Sequence, residues 1–161
     1  VTPELISQLK RHEGLGKVVG QRTYVYRCTA GALTVGYGHN LDANPLTAAE
    51  REITGWNGSS ITLKGAELLL QADAELVERQ VLTRLPWASK LSPVRLGVLV
   101  NMAFQMGVGG LLKFKITLGL IRAGQYRAAS AAMLRSAWAR QTPSRGRELA
   151  AQMRAGTYRF N

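Results

Sequence analysis

The pattern of apolar and polar positions divides the chain into three zones. In the first, Leu5, Ile6 and Leu9 recur at helical spacing behind Thr2, a suitable cap, and Pro3, which suits a first helical position. This predicts a helix over residues 3–15, closing at Gly14 or Gly16. In the second zone, residues 17–39, β-formers take over. Val18, Val19, Tyr24, Val25, Tyr26, Leu33, Val35 and Tyr37 are punctuated by Gly20, Gly31, Gly36 and Gly38, which predicts a small antiparallel sheet. A turn-rich connector, Asn40 to Asn44, leads through Pro45 to a short helix in which Thr47 and Glu50 stand at capping-box spacing. Residues 55–60 break that helix, and Thr62 opens a long one to about Arg84 along Leu68, Leu69, Ala72, Leu76, Gln80 and Leu82.

The third zone is helical throughout after Pro86 and Pro93. Segments are predicted at Val94–Met106, Leu111–Leu120, Ala123–Leu134, Ser136–Gln141 and Pro143–Ala155, separated by glycines at 107, 109, 110, 124 and 156. The fold class is therefore α+β in one domain, 1–161. A small lobe with an antiparallel sheet spans 13–62 and a long linking helix spans 63–84. A larger all-helical lobe takes 85–161 together with the N-terminal helix 3–12. A cleft between two such lobes is a common place for a site.

Composition narrows the function classes. With 161 residues and 46% apolar content, the chain can bury a sizeable core. A single cysteine excludes an internal disulfide framework and a cysteine-based zinc site, and two histidines argue against other zinc sites. There is no metal or nucleotide motif, so no cofactor is expected. No apolar run approaches the length of a membrane span. The opening Val1-Thr2-Pro3-Glu4-Leu5 is not a secretory signal and lacks methionine, which favours a processed chain or an excised piece.

Charge changes the picture further. The net charge is +11, but residues 79–161 hold 14 bases and one acid, Glu148, a local sum of +13. A body so cationic suits a polyanionic partner: nucleic acid, an anionic membrane or bacterial cell wall. The ordinary alternative is a solvated basic surface without a specific ligand.

Among ten acidic residues, most fall on polar helix faces or, like Asp42, in turns. Glu13 differs. It ends the first helix beside His12 and a glycine, just before the sheet, where a partly desolvated carboxyl can serve as a general acid. Read alone, it is equally a surface glutamate in a last turn.

The run His12-Glu13-Gly14-Leu15, followed by Cys28 and, six residues on, Thr34-Val35-Gly36-Tyr37-Gly38-His39, resembles the catalytic segment of the phage-type lysozymes, glycoside hydrolase family 24. The segments 101–107, Trp138–Arg145 and 153–158 resemble its central helix, second signature and closing helix, so nearly the whole chain is covered in order. Two departures stand out. About six extra residues around Lys17–Thr23 imply a longer hairpin, and Cys28 stands where most members carry aspartate.

The resemblance implies a lysozyme-like fold and a muramidase that hydrolyses the β-1,4 bond between N-acetylmuramic acid and N-acetylglucosamine. It implies Glu13 as the acid, Thr34 as the residue that positions water, and Arg145 as the cation that holds Glu13. Cys28 would assist water, stabilise positive charge as thiolate, or attack the sugar itself, with Arg27 favouring the thiolate. Tyr37, Gly38, Phe104, Gln105, Gln141 and Thr142 would line the saccharide groove, although Phe104 reads equally as core and Gly38 as a backbone device. His39 and Asp73 would form a structural pair. The implied setting is periplasmic cell wall, reached by an endolysin made in the host cytoplasm or by a domain of a phage particle, with a monomer expected. The competing readings are a lytic transglycosylase, which needs no water-positioning residue, and a non-enzymatic cationic protein acting on lipopolysaccharide phosphates. A nucleic-acid binder ranks last, because no reading motif is present.

Overall fold

In the computed structural model, which describes residues 1–158, capping chemistry sets the first helix, α1 (Pro3–Glu13). Thr2 Oγ1 accepts the Leu5 N–H at 3.2 Å. Glu4 sits in the first turn and Lys10, Arg11 and His12 in the last, signs that suit the helix dipole. Leu5 and Leu9 are buried. The helix stops as the Gly14 N–H turns back to the Lys10 carbonyl.

Six strands follow among the described residues: β1 (Val18–Val19), β2 (Arg22–Tyr24), β3 (Tyr26–Arg27), β4 (Leu33–Val35), β5 (His39–Asn40) and, after helix α2 (Ala48–Thr54), β6 (Ser60–Thr62). They make two antiparallel sheets where the sequence predicts one, in the orders β1-β2-β6 and β3-β4-β5. The extra residues form the β1–β2 hairpin at a sheet edge, with Val18 and Val19 exposed.

Strand β6 corrects the expectation of a plain break over 55–60 and of a helix opening at Thr62. Its partner lies 38 residues away, where Arg22 Nε donates to Ser60 Oγ at 2.8 Å, a contact that local periodicity does not carry. Thr62 instead caps the long helix α3 (Leu63–Arg84), its hydroxyl oxygen accepting the Gly65 N–H at 2.8 Å. The Thr47–Glu50 capping box of α2 is present in both directions. Val35, Leu46, Ile61, Ala66 and Leu69 form the core beneath the sheets.

A 3-10 turn (Pro86–Lys90) leads to α4 (Pro93–Leu112), capped by Ser92. Then come α5 (Lys115–Arg122), α6 (Tyr126–Leu134), α7 (Ala137–Gln141) and α8 (Pro143–Ala155). The start of α5 moves from the expected Leu111 to Lys115, because Leu111 is fully buried in the last turn of α4. Gly107 interrupts α4 with φ 78° and ψ 157°, a backbone state that glycine alone adopts readily.

By length and composition α4 could cross a membrane, with a mean hydropathy of 1.3, which corrects the expectation that no stretch qualifies. Its apolar character has another use. Val98, Leu99, Val100, Met102 and Ala103 are buried within the protein, and all but Val100 belong to a core shared with Leu118, Ile121, Met133, Leu149 and Met153.

The chain divides into two compact units, Val1 with Ile6–Glu75, and Thr2–Leu5 with the chain from Leu76 onward. The end of the expected helical lobe, 159–161, lies outside the described residues.

Candidate active site

In the first unit the expected residues come together around the end of α1. Glu13 is half-buried at that end. Gly38 lies directly against it: a β-carbon at position 38 would stand 2.9 Å from Glu13 Oε2 and 3.2 Å from its carboxyl carbon. Gly38 also has φ +79°. Only a residue without a side chain satisfies both conditions, so Gly38 is a flat wall for the carboxyl.

The β3–β4 ladder builds the other side. Tyr26 pairs directly with Thr34, so their side chains share one face of the sheet. Cys28 follows just beyond β3, in a tight loop closed by Cys28 N–H to Ala32 O and Gly31 N–H to Cys28 O. The backbone N–H groups of Ala32 and Ala30 do most to hold the Cys28 thiol below its ordinary pKa against the opposing effect of burial, with lesser contributions from Thr34 and the Gly31 N–H. Those donors favour the thiolate. Arg27, expected to do this, does not. Its guanidinium donates instead to the Gly31 carbonyl at 3.0 Å, in an exposed contact.

Thr34 is 3% exposed, and its hydroxyl donates to the Ala32 carbonyl at 2.9 Å. That leaves its oxygen lone pairs to accept a hydrogen bond from a water or a ligand hydroxyl. Tyr26 is a residue the sequence reading passed over as a β-former. Burial, then the charges of Glu13 and Cys28, raise its hydroxyl pKa against the backbone of Gly38, so the phenol stays protonated among these groups. Tyr37 packs on the sheet core with Lys10 Nζ 5.7 Å from its ring centroid, and Lys10 also pairs with Glu67 at 2.6 Å. His39 and Asp73 meet at 2.7 Å, with the second ring nitrogen 2.8 Å from the Asn44 carbonyl.

In the second unit, Gln105, Gln141 and Thr142 line a groove of about 530 Å³ with Lys113, Phe114 and Trp138. Trp138 Nε1 donates to Gln105 Oε1 at 2.8 Å, and its ring meets Phe114 edge to face at 6.0 Å. Thr142 donates its hydroxyl to the Trp138 carbonyl. Phe104 is half-buried and not part of this lining. Arg145 Nε donates to the side chain of the fully buried Asn101 at 2.9 Å. Trp138, Phe114 and Lys113 were not singled out from sequence, because helical spacing cannot tell a groove floor from a core.

The arrangement offers a walled carboxyl, a thiol of lowered pKa and a hydroxyl oxygen around one sheet, and separately an aromatic, amide-rimmed groove. The chain is 35% identical over 159 residues to the pre-baseplate central spike protein Gp5 of Enterobacteria phage T4, an alignment covering 88% of this chain and 26% of that protein. The chain thus spans about a quarter of the spike protein's length. It is 28% identical over 152 residues to probable T4-type lysozyme 1 of Dictyostelium discoideum, covering 86% of this chain and 89% of that one, and matches probable T4-type lysozyme 2 of the same organism equally. The family model for phage lysozyme matches residues 12–155, and the chain belongs to the phage lysozyme family, an enzyme of the lysozyme class.

Proposed function

We propose that this chain hydrolyses the β-1,4 bond between N-acetylmuramic acid and N-acetylglucosamine in peptidoglycan, acting as a monomer on periplasmic cell wall. The observation that carries the reading is the seating of Glu13 on Gly38 beside the sheet that bears Cys28 and Thr34. Glu13 gives its proton to the glycosidic oxygen as the bond to the anomeric carbon breaks. Water adds to that carbon, oriented by the Thr34 oxygen. The Cys28 thiolate stabilises the developing positive charge and takes the water's proton. In the first unit, Tyr37 and Gly38 would contact saccharide; in the second, the Gln105–Trp138 groove with Gln141 and Thr142, and Phe104 and Arg145, would do so. The cationic C-terminal half would speed encounter with peptide carboxylates and with lipopolysaccharide phosphates. Similarity to a spike protein supports a particle-borne role, and similarity to free-standing lysozymes supports an endolysin.

The test is mass spectrometry of soluble products from purified Gram-negative peptidoglycan. A reducible N-acetylmuramic acid end, lost in Glu13→Gln, is the expected result. A 1,6-anhydro end would assign a transglycosylase and remove Thr34 and Cys28 from these roles. Wall disruption that survives Glu13→Gln with no soluble product would assign a cationic, non-enzymatic activity.

A further inference from the structure

The bases of the second unit are not spread evenly. Helix α6 packs against α5 on one side and α8 on the other, and a groove runs along each side. Arg127, Arg147 and Arg154 rim the α6–α8 groove, of about 500 Å³. All three are exposed and none has an ionic or hydrogen-bonding side-chain partner among the described residues. Lys113, Lys115 and Arg135 rim the α5–α6 groove, of about 490 Å³. No acidic residue lines either one.

Each groove also carries a protruding aliphatic side chain. Leu134 is 48% exposed among the three arginines, and Ile116 is 77% exposed among the lysines, the highest exposure of any large hydrophobic residue described. Six cations with no counter-ion among the described residues repel one another, and an anionic partner removes that repulsion. A soluble polyanion has no use for Ile116 or Leu134. A bilayer uses both features: phosphates meet guanidinium forks, while aliphatic tips enter the boundary between headgroups and acyl chains.

We propose that the face formed by the exposed ridge of α6 and its two flanking grooves docks on an anionic phospholipid surface. Arg127, Arg147 and Arg154 bind lipid phosphate there, and Ile116 and Leu134 insert. This goes beyond the hydrolytic reading and does not depend on it, because these five residues lie outside the Trp138 groove and the Glu13 site.

Co-sedimentation of the full chain with phosphatidylglycerol/phosphatidylcholine vesicles, against pure phosphatidylcholine, tests it at physiological salt. Binding is expected only to the anionic vesicles. The triple variant Arg127→Ala, Arg147→Ala, Arg154→Ala is expected to weaken partition about a hundredfold, at about fivefold for each base at the surface. The double variant Ile116→Ser, Leu134→Ser, with unchanged charge, is expected to weaken it about tenfold. Both variants should melt as the parent does, and the Ile116/Leu134 variant, whose charge is unchanged, should release muropeptides at the parent's rate. Three outcomes overturn the proposal: no binding to anionic vesicles, equal binding to phosphatidylcholine, or an Ile116/Leu134 variant that binds like the parent while duplex DNA displaces the vesicles. The last would identify a face for polyanions in general.

Discussion

Asp73→Asn isolates the charge in the His39–Asp73 pair while keeping a side chain of the same shape. Both ring nitrogens of His39 face acceptors, the Asp73 carboxylate at 2.7 Å and the Asn44 carbonyl at 2.8 Å. Only the imidazolium can donate to both. Burial pulls the His39 pKa down. The hydrogen bond and charge of Asp73, with the Asn44 carbonyl and the Glu50 charge, overcome it and leave the pKa raised. The folded state therefore holds this proton more tightly than the unfolded chain, whose imidazole titrates at about 6.5. The resulting stability is complete below that value and fades as pH rises through the raised one.

His39 is 7% and Asp73 22% exposed, so removal of one partner falls at the lower end for buried pairs, about 3 kcal/mol. For a chain of this length that is a Tm loss of about 6–12 °C. Above the raised value, where the ring is neutral, the same change should cost less, about 1 kcal/mol, the value of an ordinary hydrogen bond, so the loss should shrink from pH 5.5 to pH 9. Melting curves of parent and variant at pH 5.5 and pH 9, followed by circular dichroism, supply the comparison. A Tm loss equal at the two pH values would show that charge is not the source of the stability, and the reasoning would fail.

Three further outcomes follow from contacts described above. Gly38→Ala places a β-carbon against Glu13 Oε2 at φ +79°, so it should abolish muropeptide release and cost about 1–3 kcal/mol, and an active, unshifted variant would refute the wall role. Iodoacetamide should alkylate Cys28 with a pH midpoint below the ordinary thiol value of about 8.5 and remove activity in step; a midpoint at or above that value would mean the loop amides do not hold a thiolate. Arg95 donates to the Met153 and Arg154 carbonyls at the end of α8 and stacks 3.6 Å from the Tyr126 ring centroid, so Arg95→Ala should cost about 2 kcal/mol by chemical denaturation. Arg95→Lys, which keeps the charge but loses the fork, should recover less than half.

Features whose causes lie within one turn of chain were readable beforehand. Thr2 and Pro3 start α1 and Thr47 and Glu50 start α2, in each case through groups three residues apart, and Pro93 marks the start of α4. Strand β6 was not readable, because Ser60 becomes strand only through Arg22 and Tyr24 across the sheet. The same limit applied at the site. Glu13 and Gly38 both stand out as residues, but that one is the wall of the other depends on the 24 residues of intervening chain folding back. Tyr26 escaped notice because an aromatic in a strand is expected for packing alone, and only its pairing with Thr34 places its hydroxyl among the polar groups. Arg27 misled for the opposite reason: it adjoins Cys28 in sequence, but its guanidinium is taken up by the Gly31 carbonyl.

The loop from Cys28 to Ala32 supplies its donors from the main chain. The seat for a negative charge is therefore set mainly by the main chain, with the Thr34 side chain a lesser contributor. A hard oxygen anion at position 28 would meet the same amides as the soft sulfur anion found there. Exchange of the charged group asks nothing of its neighbours, whereas lengthening the loop by one residue would turn the amides away. What the loop fixes at that position is a direction in space, open to an oxygen or a sulfur anion alike.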